Sequence, residues 1–319
     1  MSERTAQSDR ADLLADVAEM YFLDGKIQSE IAEAIGVTRS MVSRMLSEAR
    51  QQGIVEIRIH RQIRPDRALA SEIKERFGLL NAFVVANSYQ DNRRLLQLLG
   101  AAAAHVLDEY LRPGLTVGVV WGTSMNATVD ALAARNLAPI KVVQLSGALG
   151  ARSDVYDGHA IVRRLALKLN GETFYLNSPL LADDRETAAS FNSAPGVREA
   201  ISLARQCDLA LLGIGGVDPQ SCSYCRSGNI TLNQLNTLID SGAVGVVYGK
   251  YFDIMGNPVP AEFYERIIGA SFEDIMRIPI RVGVAGGPIK VRAVEGALRG
   301  GYINVLVTDS VTAAAILNS

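Results

Sequence analysis

From residue 82 to residue 308, short runs rich in β-branched residues alternate with longer helical periods, and no feature of the chain narrows its fold more. Strand-length apolar runs fall at 82–86, 115–120, 140–145, 172–176, 209–214, 244–248, 281–284 and 304–308. Helical periods fall at 93–110, 125–134, 159–169, 197–205 and 289–299. A strand that is apolar on both faces belongs in a sheet covered on both sides, which is how helices clothe a parallel sheet. This stretch is expected to be α/β and Rossmann-like, with a mainly parallel sheet.

The N-terminal segment reads differently. Leu13, Leu14, Val17, Ala18, Tyr21 and Phe22 recur at helical spacing over 11–22 until Gly25 interrupts them. A second short period runs from Ser29 to Ile35, Gly36 follows, and a third carries Val37, Met41, Val42, Met45, Leu46 and Ala49. After Gly53, Val55, Ile57 and Ile59 alternate with Glu56, Arg58 and His60, the pattern of a strand or wing. Pro65 closes it, and Leu69, Ile73 and Phe77 mark a connecting helix over 68–77. The expected division is a winged helix-turn-helix domain over 1–62 and an α/β domain over 63–319.

A chain of 319 residues exceeds what one hydrophobic core usually organises, which agrees with two domains. A hydrophobic share of 48% and a charged share of 21% exclude a disordered or fibrous chain. The net charge is -2, so binding to nucleic acid requires a local patch. Between residues 37 and 64 such a patch exists: Arg39, Arg44, Arg50, Arg58, Arg61 and Arg64 face only Glu48 and Glu56. The N-terminus lacks the apolar stretch of a signal peptide, and no apolar run reaches the roughly 18 to 20 residues that span a bilayer. Cys207, Cys222 and Cys225 are too few and too clustered for a secreted disulfide framework. A cytoplasmic protein with no membrane partner is expected.

In a helix-turn-helix, one helix braces a second whose N-terminal side chains enter the major groove. Residues 28–47 fit: Gly36 sits at the turn, Thr38 can cap the recognition helix, and Ile31, Ile35, Val37, Met41, Val42 and Met45 can face a core. Arg39, Ser40, Ser43, Ser47 and Arg50 project to the opposite side, with Arg44 at its margin. Arginine serves phosphates and base edges alike, and serine lets the helix approach closely. Gln28, Thr38, Arg39, Ser40, Ser43 and Arg44 are therefore the candidate contacts to operator DNA. The bland reading, a small helical subdomain with an ordinary solvated face, does not account for turn glycine, core spacing and cationic face together.

After the run at 115–120 the chain reads Trp121-Gly-Thr-Ser-Met-Asn126 and enters a helix. A glycine turn there aims backbone N–H groups and the helix N-terminus at an anion, and Thr123 and Ser124 add hydroxyls. No lysine follows the glycine as in a nucleotide P-loop. Comparable corners recur at Ser146-Gly-Ala-Leu-Gly150, Gly213-Ile-Gly-Gly216 and Ala285-Gly-Gly-Pro-Ile-Lys290. In an open α/β sheet such corners gather on one edge, where ligands bind. Gly122, Thr123, Ser124, Ser146, Gly147, Gly213, Gly215 and Lys290 are the candidate effector contacts, for a small anionic ligand. Any α/β fold needs some glycines where strands turn; the hydroxyls and the lysine add the case for a ligand.

The rival is an enzyme, a sugar-phosphate isomerase or deaminase with an N-terminal helical appendage. Such chemistry needs a placed acid or base. Asp154, Asp157 and His159 follow the second glycine corner but read more simply as a solvated loop and a helix start. Cys222-Ser-Tyr-Cys225 has the spacing of half a zinc site without the other half and, with no helix start evident at Cys222, reads as incidental. His60 and His105 are scattered, and Trp121 is expected in a core or a pocket wall. No catalytic residue, metal or cofactor is expected.

These residues resemble the SorC family of sugar-binding transcriptional regulators along nearly the whole chain. The resemblance is carried by Gly25-Lys-Ile-Gln-Ser-Glu-Ile-Ala32, Ser40 to Leu46, Gly122-Thr-Ser124, Val143-Gln-Leu-Ser-Gly147, Leu212-Gly-Ile-Gly215 and Arg226-Ser-Gly228. It is carried above all by Arg281-Val-Gly-Val-Ala-Gly-Gly287, Lys290 and Leu298-Arg-Gly-Gly-Tyr-Ile-Asn-Val-Leu-Val-Thr-Asp309, a tail most similar to the phospho-autoinducer-2 regulators of that family. The resemblance implies a homotetrameric or dimeric regulator of a carbohydrate-related operon, with an effector domain like the sugar-phosphate isomerase and deaminase folds. It also implies a phosphorylated sugar or sugar-like effector, with phosphate contacts at Thr123 and Ser124 and an effector-site lysine at Lys290. Three positions depart from the family pattern. Ser146-Gly147-Ala148 replaces a loop that often begins Asn-Gly-Gly or Lys-Gly-Gly, so no Schiff base is expected there; Val246 stands where Asp is common; Ile27 replaces a frequent capping Thr.

Overall fold

The computed structural model describes residues 2–55, 63–86, 91–148 and 157–319, with 2–9 as backbone only. The wing expected over 54–60 falls, from residue 56 onward, outside the described residues. The chain divides into two units, Met1–Gln62 and Ile63–Ser319.

In the first unit, helices α1 (Ser2–Phe22), α2 (Gln28–Ile35) and α3 (Arg39–Gln51) enclose one small core. Leu14, Val17 and Ala18 meet Ile31, Ala32, Val42, Met45, Leu46 and Ala49 there. Burying each of the larger side chains is worth about 1.5–3 kcal/mol. Gly36 ends α2 at φ 69°, a left-handed conformation that favours glycine. Thr38 starts α3, its hydroxyl accepting the Met41 N–H at 3.3 Å. Ile27 offers no acceptor before α2; instead the Glu30 carboxylate accepts the Ile27 N–H at 3.0 Å, half of a capping box. Helical spacing assigns Met41 to the core, but it is 45% exposed. The inward stripe is Val42, Met45, Leu46 and Ala49, and Met41 lies one residue, a turn of roughly 100°, off it.

The second unit is built on β1 (Asn81–Val85), β2 (Thr116–Val119), β3 (Lys141–Gln144), β4 (Glu172–Phe174), β5 (Leu209–Gly216), β6 (Gly245–Val247), β7 (Lys250–Phe252), β8 (Ile280–Val284) and β9 (Val305–Asp309). The main sheet runs in the order β1-β9-β8-β5-β2-β3-β4 with every pairing parallel, as the doubly buried strands require. Between α4 (Arg67–Phe77) and the end of the chain, helices pack on both faces; α5 (Asn92–Tyr110) and α6 (Thr123–Ala131) lie together over one of them. Gly100 of α5 permits that approach, since a Cβ there would sit 2.5 Å from the Ala127 backbone.

Two expectations are corrected. The run at 244–248 does not join the parallel sheet: β6 pairs antiparallel with the end of β5 and with β7. The glycines Gly213 to Gly216 form no corner but remain in β5, which leaves β8 at Gly213 and takes β6 as partner from Ile214. A side chain on Gly215 would strike Val246 Cγ1 at 2.5 Å, so the glycine run is what admits β6. At the opposite rim, the segment before α4 is stitched to β1: Asp66 N–H donates to the Val84 carbonyl and Ala86 N–H to the Arg64 carbonyl, both at 2.8 Å.

Candidate functional site

Strand order places the site. After β2 the chain moves to β3 on one side, whereas after β5 it moves to β8 on the other, so β2 and β5 flank a topological switch point. The carboxyl ends of strands at such a point are left open by the diverging connections, and ligands bind in the crevice. A cavity of about 330 Å³ lies there, large enough for a small metabolite.

Its walls come mainly from the ends of β2, β3, β5 and β8 and from α5. From β2, Trp121 to Ser124 lead into α6, with Gly122 as N-cap at φ 136°, a conformation that favours glycine. Seven of the eight expected contacts line the cavity: Gly122, Thr123, Ser124, Ser146, Gly213, Gly215 and Lys290. Gly147 does not; it is pressed against the backbone of Pro179, where no Cβ would fit. Trp121 forms part of the wall and meets Tyr224 edge to face at 5.1 Å.

Lys290 enters from the turn after β8 and donates to the Ile214 carbonyl at 3.0 Å. Burial holds its amine down at about 8, with Cys222 and Asp218 acting in the opposite sense. The turn itself is fixed by Asp309, fully buried at the end of β9: its carboxylate accepts from Gly287 N–H at 2.7 Å, Thr312 Oγ1 at 2.7 Å and the N–H groups of Val311 and Thr312. Tyr248 presents its ring to the cavity while its hydroxyl, 2.6 Å from the Leu145 carbonyl and 2.9 Å from that of Ala270, is committed to backbone.

Sequence reasoning missed the contribution of residues 220–226 to the cavity. Gln220, Ser221, Ser223, Tyr224 and Arg226 line it from the loop and short helix Ser223–Arg226 that follow β5. Arg226 stood in the family motif but carried no signal for a pocket. Cys222 is the N-cap of that helix, contrary to the expectation of no helix start. Cys222 Sγ lies 3.7 Å from the Tyr251 hydroxyl, and burial pushes the Cys225 thiol up to about 11. A thiol held protonated, as that of Cys225 is, is a poor nucleophile and metal ligand. Asp157 and His159 do not line the cavity; His159 bonds Asn177 at 3.1 Å and stacks on Tyr175, and Asp154 lies outside the described residues.

In the first unit, Thr38, Arg39, Ser40, Ser43 and Arg44 are all exposed along the start of α3, and Gln28 is half-buried at the start of α2. Ser47 donates back to the Ser43 carbonyl, and the Arg50 guanidinium lies 5.4 Å from the Phe22 ring centre, so these two are partly committed within the unit. Arg10 of α1 grips Glu48 of α3 through two hydrogen bonds, 2.7 and 3.3 Å, removing that carboxylate as a local counter-charge.

A helix-turn-helix with a cationic recognition helix, joined in one chain to a Rossmann-like domain holding a metabolite-sized cavity, defines a ligand-responsive transcriptional regulator. Residues 61–318 match the Sugar-bind family model, a sugar-binding domain, and residues 25–69 match the Crp-like helix-turn-helix domain. The chain is 32% identical to the transcriptional regulator LsrR of Escherichia coli strain K12, over 96% of this chain and 94% of that protein. It is 29% identical to the deoxyribonucleoside regulator of Bacillus subtilis strain 168, over 97% and 98%. Among solved structures, the full-length sorbitol operon regulator SorC from Klebsiella pneumoniae superposes with a TM-score of 0.75 at 26% identity, covering 96% of this chain and 98% of that one. The chain belongs to the SorC family of sugar-binding transcriptional regulators. It is a sugar-responsive DNA-binding regulator and not an enzyme, since its relatives are regulators that share both of its parts. Among the described residues no helix is long and apolar enough to cross a membrane.

Proposed function

We propose that residues 1–62 form the DNA-binding domain and 63–319 the effector domain, and that a phosphorylated sugar-like molecule binds at the switch point between β2 and β5. The observation that carries this reading is the convergence of the α6 N-terminus, Thr123, Ser124 and the buried Lys290 on one cavity. The free N–H groups at a helix start favour an anion, and so does a cation withdrawn from water. A phosphate held by the Gly122-Thr123-Ser124 turn fits both. Gln28, Thr38, Arg39, Ser40, Ser43 and Arg44 would contact operator DNA, with arginines on phosphates and base edges.

Operators read by helix-turn-helix proteins present half-sites about one helical turn, or a multiple, apart. A homodimer or homotetramer supplies the paired recognition helices, and a cytoplasmic location gives them access to DNA. The effector then acts by preferring one arrangement of the subunits, and it shifts DNA affinity only by its differential affinity for the two. The test is binding of the purified protein to DNA upstream of its own gene and neighbouring genes, at low salt, with and without a panel of sugar phosphates and free sugars. Specific binding that a phosphorylated sugar alters supports the reading. Indifference to that DNA under every condition, or a response to free sugars alone, overturns it.

A further inference from the structure

The connection after β5 carries a pair of thiols that effector binding leaves unused. Cys222 caps the short helix Ser223–Arg226 and Cys225 is its third residue, so the two lie three positions apart on one turn. Arg226 N–H donates to the Cys222 carbonyl at 3.0 Å and closes that turn. From the rise and radius of an α-helix, Cα atoms three residues apart lie about 5 Å from each other, inside the roughly 4.4–6.8 Å that a disulfide spans. The side chains agree with the backbone, since the two thiols are within hydrogen-bonding reach of each other.

Neither sulfur lines the cavity, but the residues interleaved with them do: Ser221, Ser223, Tyr224 and Arg226. Cys222, 2% exposed, touches the Tyr251 hydroxyl at 3.7 Å, while the partly exposed Cys225 reaches the Thr231 carbonyl at 3.9 Å. A bond of about 2.05 Å between the sulfurs draws both away from these partners and displaces the short helix that joins them. Tyr224, between the two cysteines, packs on Trp121 at 5.1 Å and on Tyr251 at 6.2 Å. Its displacement therefore reaches the wall beside the Gly122 turn.

We propose that Cys222 and Cys225 form a reversible disulfide that reshapes the effector cavity, so that the regulator answers thiol redox state as well as its metabolite. The effect on effector binding rests on the site proposed above; the disulfide itself does not. With a small disulfide as oxidant, the partly exposed Cys225 is met first. Its sulfur loses a proton and attacks, giving a mixed disulfide and releasing one small thiol. The Cys222 sulfur then attacks the Cys225 sulfur and releases the second. Two electrons pass to the oxidant, and the two protons leave on the two small thiols. Burial of Cys225 slows the first attack, yet it leaves no stabilised Cys225 thiolate to favour the reduced pair. Such a pair responds to sustained oxidation, in keeping with the redox-sensing use of disulfides in reducing compartments.

The test equilibrates the full-length protein in glutathione buffers from fully reduced to fully oxidised, then quenches, denatures and alkylates it. All three cysteines should take the label when reduced, and Cys207 alone when oxidised, with the loss of two hydrogens mapping to the peptide that holds Cys222 and Cys225. The emission of Trp121, the single tryptophan of the chain, should shift on oxidation and return on reduction. Affinity for inorganic phosphate, read by calorimetry, should weaken several-fold on oxidation, because Arg226 leaves the wall position it holds in the reduced form. Cys225→Ser and Cys222→Ala should each abolish these changes. Full labelling in the most oxidising buffer, or a mixed disulfide that stops at Cys225, overturns the proposal. So does a disulfide without effect on Trp121 emission, or on phosphate affinity where phosphate binds. If phosphate binds neither form while labelling and emission respond, the effector site falls and the redox pair stands.

Discussion

The carboxylate of Asp309 holds the backbone N–H of Gly287 at 2.7 Å, and so fixes the turn that delivers Lys290 to the cavity from a strand that lines none of it. Gly287 N–H also reaches Thr312 Oγ1 at 2.8 Å, so one buried cluster secures both the turn and the start of the last helix, Ser310–Leu317. Removing a partner from buried donors costs about 1–3 kcal/mol for each group left unpaired. Asp309→Ala should lower the melting temperature and weaken effector binding together, whereas Thr312→Ser, which keeps the hydroxyl, should disturb binding far less. Thermal unfolding beside ligand titration checks this; an Asp309→Ala protein with wild-type effector affinity would refute the positioning role.

Lys290 predicts a pH dependence whose sign is fixed by its amine sitting at about 8. An anionic effector favours the ammonium form, so affinity should be full below about pH 8 and decline, by up to about tenfold per unit, as pH rises through that value. For the unliganded fold the trend is opposite. The unfolded chain keeps this proton until about pH 10.4, so between the two values it binds more protons than the folded chain, and this group's contribution to stability rises with pH. Lys290→Met should abolish both trends. Calorimetric titrations at about pH 7 and about pH 9 with the same ligand discriminate, because a flat profile for the wild type contradicts the assignment.

The exposed arginines at the start of α3 should separate DNA affinity from folding. Arg39→Ala or Arg44→Ala should each reduce the slope of log affinity against log salt by about one for every phosphate that the arginine neutralises. Stability should stay within about 0.5 kcal/mol, since neither side chain is buried. Anisotropy measurements at several salt concentrations would show this, and an unchanged slope in both variants would remove α3 from the interface.

Thr38→Ala should cost about 1 kcal/mol of stability by leaving the Met41 N–H uncapped, and Thr38→Ser should cost little. Denaturant melts of the two variants decide the matter. Equal losses would mean that the threonine methyl group, and not the hydroxyl, supports the helix.

The parallel strands were legible because an apolar run without a polar face has few places to go, and the corner at Gly122 because glycine, hydroxyls and a helical period follow one another. The β6–β7 hairpin was not. Its turn is Tyr248-Gly249, with φ of 49° and 76°, and a tyrosine in the left-handed region carries none of the usual Asn-Gly signal. Gly213 to Gly216 misled for the opposite reason: glycine marks close approach of a second backbone as readily as it marks a bend. Arg226 escaped notice because its place in the wall depends on how a long connection folds back over the end of β5. Asp309 closed a family motif, yet nothing in sequence ties it to Gly287, 22 residues earlier.

The stitching of Arg64 to Asp66 along β1 bears on where this chain can be cut. A fragment beginning at Arg67 would keep every described strand yet leave the Val84 carbonyl and the Ala86 N–H without their partners along β1, the outermost strand of its sheet. Naked edges recruit other edges, so that fragment should aggregate more readily on concentration than one beginning at Ile63. The leash between the two halves is thus also a hem, and a hem removed leaves fraying cloth.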